Sequence, residues 1–190
     1  MKKLKLQVQI SVDGFIAGPN GEMDWLIWNL DDELKQYITE LTASVDTMLL
    51  GRKLAEGFIP YWETVKANTE DPQYEFGKLM IDTPKFVFSK TLTESAWDNT
   101  ELVEGDLVEG VNKIKAGHGK DIIAYGGAGF VSSLVKNNLI DEYHLFVNPA
   151  IVGNGMSIYK EVEGQLKLKL VKALSFPCGI AVLVYTPGEA

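Results

Sequence analysis

The spacing of apolar residues predicts a series of short strands in this chain. Residues 4–10 alternate between apolar and polar side chains, a period of two that is typical of a half-buried strand. Short apolar runs at 47–50, 85–89 and 122–125 predict buried strands. Further strands are predicted at 102–103, 143–147, 166–174 and 180–185, the last two as a hairpin around 176–179.

Helical spacing of apolar residues fills most of the intervals between these strands. Helices are predicted over 29–41, from near 52, over 72–81, over 107–114 and over 128–137. Asn29 is the expected N-cap of the first helix. The glycine-containing stretch 12–24 predicts a long loop, and the aromatic stretch 58–71 is expected to be irregular.

The order of these elements predicts the fold class. Strands alternate with helices and then follow one another directly, which favours an α/β fold built as a three-layer α/β/α sandwich. Its mixed sheet should be mainly parallel with an antiparallel C-terminal hairpin. The chain has 190 residues, and we expect a single domain over 1–190.

Composition excludes several classes of function. A net charge of −8 argues against a nucleic-acid partner, because such binding depends on clustered cations. The only cysteine, Cys178, can form neither an internal disulfide nor a multi-cysteine metal site, so we expect no metal and a cytoplasmic location. No apolar run approaches the roughly 20 residues of a membrane span.

Two junctions between a strand and a helix point to a phosphate-bearing cofactor. Gly126, Gly127, Ala128 and Gly129 separate the strand at 122–125 from the next helix, and a helix N-terminus favours an anion. Arg52, the only arginine, follows Gly51 at the other junction. The alternatives are a tight turn without a ligand and an ion pair of Arg52 with Glu56 at i,i+4 spacing.

Other candidate residues also allow two interpretations. Asp13 either stabilises a turn with Gly14 or carries a carboxylate close to a mobile loop. A set of aromatic side chains either belongs to the hydrophobic core or forms the walls of a flat substrate pocket. The set includes Trp25, Phe58 and Trp62.

Five segments resemble the dihydrofolate reductase-like superfamily, in matching order. They are 11–17 (SVDGFIA), 46–52 (DTMLLGR), 86–92 (FVFSKTL), 125–129 (YGGAG), and 139–143 (LIDEY) leading to 149–155 (PAIVGNG). The fifth is similar to one branch in particular, the C-terminal reductase domain of the bacterial riboflavin-biosynthesis bifunctional deaminase/reductase. Each segment alone is a weak signal, whereas five in register over residues 4–186 are specific.

This resemblance implies an NADPH-dependent reductase and assigns roles by position. It implies that the 2′-phosphate and pyrophosphate of NADPH meet Gly51, Arg52 and Lys53, with Ser89 and Lys90 on the adenine-ribose side. The pyrophosphate cradle would be Gly126, Gly127, Ala128, Gly129 and Phe130, with Ile16 and Ala17 beside the nicotinamide. Asp46 matches an acid that faces the substrate in the riboflavin branch. We therefore take Asp46 and Asp13 as the candidate catalytic residues.

The resulting hypothesis is hydride transfer from NADPH to a small heterocyclic acceptor with a C=N or C=O bond. One alternative is 5-amino-6-(5-phosphoribosylamino)uracil reductase-type activity, although the region 58–62 is neutral and offers no cation to a ribose phosphate. Another is a nucleotide-binding protein of the same fold without turnover. By analogy with the riboflavin branch, we expect a homodimer.

Overall fold

A computed structural model describes residues 1–188 and contains an eight-stranded mixed sheet. Its strands are β1 (Leu4–Ser11), β3 (Val45–Gly51), β4 (Lys85–Phe88), β5 (Thr100–Val103), β6 (Asp121–Tyr125), β7 (Glu142–Asn148), β9 (Leu168–Ser175) and β10 (Ala181–Pro187), and a small second sheet pairs β2 (Phe15–Ala17) with β8 (Met156–Ser157). The helices are α1 (Asp32–Ala43), α2 (Arg52–Ala67), α3 (Tyr74–Asp82), α4 (Leu107–Lys115) and α5 (Ala128–Lys136).

The strand order in the main sheet is β5-β4-β3-β6-β1-β7-β10-β9. The first six strands in this order are mutually parallel, whereas β10 is antiparallel to both β7 and β9. Within the hairpin that β9 and β10 form, the Phe176 amide donates to the Ile180 carbonyl at 3.0 Å. The predicted parallel sheet and antiparallel C-terminal hairpin are confirmed.

Helices cover both faces of the sheet, which confirms the three-layer architecture. Alternate residues of one strand face different layers: Leu49 packs with α4 and α5, whereas Met48 and Leu50 pack with α2 and α3. α1 packs beside α2 on the same face, where Leu34 and Ile38 contact β7 and β10 through Phe146 and Val182. No helix within residues 1–188 has the length and apolar character to cross a membrane.

The prediction of an irregular segment at 58–71 is wrong for residues 58–67, because α2 continues to Ala67 with Pro60 inside it, and it is confirmed for residues 68–71. A proline within a helix costs about 3 kcal/mol, since it removes a hydrogen bond and crowds the preceding turn. Ile59, Trp62 and Val65 bury one face of this segment against the sheet and α3, and that burial outweighs the cost.

Two smaller boundaries also differ from the predictions. α1 begins at Asp32 and is capped by Asp31, whose Oδ1 accepts a hydrogen bond from the Leu34 amide at 2.9 Å, so Asn29 is not the cap. The predicted loop at 12–24 contains the short strand β2, which pairs with β8. That pairing could not be read from local spacing, because its partner lies far along the chain.

A close contact between Gly51 and Phe130 brings the starts of α2 and α5 together. A Cβ atom on Gly51 would lie 2.6 Å from the Cβ of Phe130, so only glycine permits this approach. The Phe130 ring also packs against Phe88, with the ring centroids 5.2 Å apart. The ends of β3 and β4 therefore support the first turn of α5.

We predict that Gly51→Ala destabilises the protein by about 1–3 kcal/mol, the usual cost of overpacking a close contact. Gly57→Ala is the matched control, because Gly57 lies within α2, the helix that Gly51 precedes, and has open space around it. The control should stabilise by about 0.5–1 kcal/mol through helix propensity. Urea unfolding measures both, and equal effects of the two substitutions would contradict the packing argument.

Candidate functional site

Three of the predicted cofactor segments meet on the side of the sheet where the parallel strands end. We call this side the carboxyl edge of the sheet. Parallel strands share the direction of their carboxyl ends, so β3, β4 and β6 deliver residues 51–53, 89–90 and 126–130 to the same edge. Gly51 pairs with Phe88 in the β3–β4 register, which places Arg52 and Ser89 next to each other in the fold. We call these three segments the candidate anion site.

The two helices that begin at this site lack the side-chain caps of α1 and α4, and α3 lacks one as well, although α3 has Glu75 in its first turn. Gly51 and Gly127 are the N-caps of α2 and α5; neither provides a side-chain cap, and neither helix has an acidic residue in its first turn. In contrast, α1 and α4 are capped by Asp31 and Asp106 and have acidic first turns. The open N–H groups and positive dipole ends of α2 and α5 therefore suit an anion.

The charged side chains of the candidate anion site are partly engaged within the protein. Arg52 Nη1 contacts Glu56 Oε1 at 2.6 Å, so the ion-pair interpretation of Arg52 describes the structure without a ligand. Lys53 and Lys90 are exposed. Ser89 is buried, and its Oγ accepts hydrogen bonds from the amides of Thr91 and Leu92.

A cavity of about 420 Å³ adjoins Ser89 and Lys90. Its other lining residues are Thr91, Leu92, Thr93, Glu104 and Gly105. It therefore lies beside the end of β4, where the resemblance places the adenine-ribose side of the cofactor.

Asp13 fixes the loop between β1 and β2. Its carboxylate accepts hydrogen bonds from the Ser11 hydroxyl at 2.7 Å and from the amides of Val152 and Gly153 at 3.0 and 2.7 Å. The bonds from Val152 and Ser11 lower the pKa of Asp13 to about 2. The carboxyl group is thus ionised near neutral pH and has no proton to donate, so the geometry supports the turn interpretation over a catalytic acid.

Ile16 and Ala17 lie in β2 and are held in place by β8. Ala17 pairs with Met156, and a Cβ atom on Gly155 would clash with the Ala17 carbonyl oxygen. Ile16 packs against the cluster beneath α5. These two residues therefore belong to an anchored strand beside the end of β1, and the mobile part of the loop cannot include them.

Asp46 lies at the opposite edge of the sheet from Arg52. It is the second residue of β3, about 16 Å from Gly51 at the usual rise per strand residue. Its carboxylate contacts Lys2 Nζ at 2.5 Å and accepts hydrogen bonds from the Thr47 hydroxyl and the Lys120 amide. The structure does not bring Asp46 to the candidate anion site, because Asp46 lies at the start of β3 and the candidate anion site lies where β3 ends.

The predicted aromatic group divides between the core and the site. Trp62 is 9% exposed and packs edge-on against Phe76 between α2 and α3, so it belongs to the core. Phe58 stacks on Tyr125, the last residue of β6, with ring centroids 5.5 Å apart. Trp25 lies in the loop after β2, with a buried Nε1 that has no hydrogen-bond partner within residues 1–188.

A polar row on the central strands was missed by the sequence reasoning. Gln7 of β1 pairs with Tyr125 on one side and with His144 on the other. The Gln7 Oε1 and Tyr125 hydroxyl atoms are buried without hydrogen-bond partners in the described part of the chain. The alternation of apolar and polar residues along β1 predicts that Gln7 faces solvent, whereas helices cover that face of the sheet. The available signal was a polar residue on a strand face that the predicted three-layer fold covers with helices.

His144 joins this row to α1 through a buried hydrogen-bond chain. The Tyr37 hydroxyl lies 2.6 Å from His144 Nδ1, and His144 Nε2 lies 2.6 Å from Glu142 Oε1. Burial lowers the pKa of His144 and the bond to Glu142 opposes that shift. A neutral imidazole that donates to Glu142 and accepts from Tyr37 satisfies both contacts.

Comparison with known proteins identifies the family. Residues 2–182 match the model of the RibD C-terminal domain. The chain belongs to this family. It is 34% identical over 187 residues to the uncharacterized protein YyaP of Bacillus subtilis (strain 168), covering 97% of this chain and 94% of YyaP. This result confirms the resemblance to the reductase branch of riboflavin biosynthesis.

Solved structures share the fold at lower identity. A protein of Shewanella sp. PV-4 with a proposed role in riboflavin biosynthesis aligns over the whole of both chains with a TM-score of 0.72 and 23% identity. The diaminohydroxyphosphoribosylaminopyrimidine deaminase/5-amino-6-(5-phosphoribosylamino)uracil reductase of Thermotoga maritima aligns with a TM-score of 0.69 and 16% identity. The alignment covers 98% of this chain and 57% of the Thermotoga chain, so this chain corresponds to little more than half of that protein.

We predict that Asp13→Asn lowers the melting temperature near pH 7. Because the folded pKa of Asp13 is about 2 against an ordinary value of 3.8, its stabilisation is complete above about pH 4 and is lost as the pH falls toward 2. The difference from wild type should therefore shrink over that window in thermal unfolding scans. Asp24→Asn, an exposed control, should change little; a deficit that is equal at pH 3 and pH 7 would refute the role of the ionised carboxylate.

Proposed function

We propose that this protein is an NADPH-dependent reductase that transfers a hydride to a small heterocyclic C=N or C=O substrate. The observation that carries the proposal is the pairing of two uncapped helix N-termini beside the only arginine. Membership of the RibD C-terminal domain family supports it, since the Thermotoga protein that shares the fold is named as a reductase.

The residues present suit the phosphates of such a cofactor. The N–H groups at the start of α5 would hold the pyrophosphate, because Gly127 has a φ of +114° and Gly129 leaves open space where a Cβ would stand. Arg52 and Lys53 would hold the 2′-phosphate, and Ser89 and Lys90 would border the adenosine. When bound, the nicotinamide supplies the hydride.

The chain's own residues would position the reacting groups and exclude water. The anchored strand β2 would fix one wall of the nicotinamide subsite through Ile16 and Ala17. The Phe58–Tyr125 stack would form an apolar wall on the side of α2. Asp13 is ionised and Asp46 lies at the other edge, so the proton that accompanies the hydride would come from water at the open edge of the sheet.

The same geometry weighs against a ribose-phosphate substrate. The wall that Phe58 and Tyr125 provide is aromatic and uncharged. The cations of the candidate anion site, Arg52, Lys53 and Lys90, are those that the cofactor phosphates would use. We therefore favour a substrate without a phosphate over the uracil derivative named for the Thermotoga protein.

We predict that Arg52→Ala weakens NADPH binding roughly tenfold or more and changes NADH binding less than twofold. A charge-assisted hydrogen bond contributes about 1.5–3 kcal/mol, and only NADPH has the 2′-phosphate that would receive it. Tryptophan-fluorescence titration with each nucleotide measures the two affinities. Lys66→Ala, at the far end of α2, is the control, and failure of the wild type to bind either nucleotide would refute the proposed function.

We further propose that the protein forms a homodimer through β9. β9 is the outermost strand of the sheet and pairs only with β10 within the described residues. Leu170 and Val171 on β9 are each about half exposed, at 53% and 51%. An unpaired edge with exposed apolar residues favours pairing with a second copy.

We predict that Leu170→Glu converts the dimer to a monomer, because a charge would be buried at the centre of the paired edges. Analytical ultracentrifugation over a concentration series measures the change. Tyr61→Glu places the same charge on an exposed aromatic residue of α2, a helix that packs on β3 and β4, and should leave the dimer intact. A wild-type protein that sediments as a monomer would contradict the dimer itself.

A further inference from the structure

Arg52 and Glu56 form an ion pair that adds little to the stability of α2. Arg52 is the first residue of the helix, where the dipole is positive and a cation is unfavourable. A pair with the cation N-terminal to the acid is also the weaker of the two orientations on a helix. The pair therefore compensates for a cation that the helix itself disfavours.

An anion bound at the start of α2 would account for the position of Arg52. The first turn of α2 contains Arg52 and Lys53 and no acidic residue, the reverse of the first turns of α1 and α4. The Glu56 carboxylate lies one turn further on, 2.6 Å from the guanidinium. Both side chains are partly exposed, at 32% and 46%, so an external anion can reach the pair.

We propose that Glu56 is an internal competitor for the 2′-phosphate of the cofactor and sets the selectivity between NADPH and NADH. This inference rests on the proposed function. Without a cofactor, the Glu56 carboxylate occupies Arg52 in place of the phosphate. NADPH has to displace it, whereas NADH, which carries a 2′-hydroxyl group there, leaves the pair intact.

The competition between Glu56 and the 2′-phosphate for Arg52 should change the NADPH affinity by a measurable factor and still allow NADPH to bind. An exposed ion pair at this spacing contributes a free energy that corresponds to about a twofold change in an equilibrium constant. A phosphate with nearly two negative charges and bidentate geometry is the better partner for a guanidinium. The displaced carboxylate nevertheless remains within a helical turn of the phosphate, and this repulsion adds to the cost of displacement. Glu104, which lines the neighbouring cavity, adds a further negative charge near the same ligand.

Glu56→Gln tests the proposal, because it removes the charge and keeps the shape of the side chain. We expect the dissociation constant for NADPH to fall about three- to tenfold and that for NADH to change less than twofold. Tryptophan-fluorescence titration of the full chain with each nucleotide gives both values. The gain for NADPH should shrink at high salt, since the interaction is between partly exposed charges.

Two further variants separate the proposal from a general effect of charge. Glu63→Gln removes an acid from the same helix about 10 Å further along, and should leave the preference for NADPH over NADH unchanged. In Arg52→Ala, the added Glu56→Gln substitution should improve NADPH binding less than it does in the wild type, because there is no guanidinium to compete for.

The outcomes are distinguishable. If Glu56→Gln improves both nucleotides equally, leaves both unchanged or weakens NADPH, Glu56 does not set selectivity and the inference is overturned. Weaker NADPH binding would show that Glu56 instead holds Arg52 in its binding orientation. If the wild type binds neither nucleotide, the proposed function fails first and the inference falls with it. Thermal unfolding of each variant without nucleotide verifies that it is folded.

Discussion

The contact between Gly51 and Phe130 is the constraint on which the arrangement of the site depends. It lets the end of β3 touch the first turn of α5, so two helices begin side by side at one edge of the sheet. Because parallel strands all end at that edge, the open amides of α2 and α5 lie there together with Arg52, Lys53 and Lys90. The amino-terminal ends of the same strands lie at the opposite edge of the sheet, which has different contacts.

That opposite edge is held by paired charges. Lys2, Lys5 and Lys115 are mostly buried and pair with Asp46, Asp121 and Asp141. Asp121 and Asp141 also accept hydrogen bonds from the amides of residues 3 and 4, so these pairs tie the start of β1 to β6 and β7. Partly buried pairs with further hydrogen bonds are costly to break. Asp46 belongs to this group, and its contacts are with Lys2, Thr47 and Lys120.

The sequence predicted those features whose cause is local. The alternation in β1, the apolar run before Gly126 and the placement of Arg52 after Gly51 are visible within a few residues. Features that depend on distant partners were missed. Pro60 is tolerated within α2 because of burial against α3. Asp46 is engaged by Lys2, which lies 44 residues earlier in the chain. The Gln7–His144 row becomes buried only when α1 covers it.

The anchoring of β2 has a consequence for the rate of ligand exchange. Asp13 and the β2–β8 pairing fix the chain up to Ala17, and the Ile27 amide is held by Asn148 Oδ1 at 3.0 Å. Between them, the backbone hydrogen bonds that the described structure records for residues 18–26 are local, such as Gly18 to Glu22. No hydrogen bond in the described part of the chain ties residues 18–26 to the main sheet, so movement of this segment about its two fixed ends would leave the sheet intact. In the proposed reductase, the rate at which this segment opens, rather than any unfolding of the core, would set the upper limit on how fast products leave.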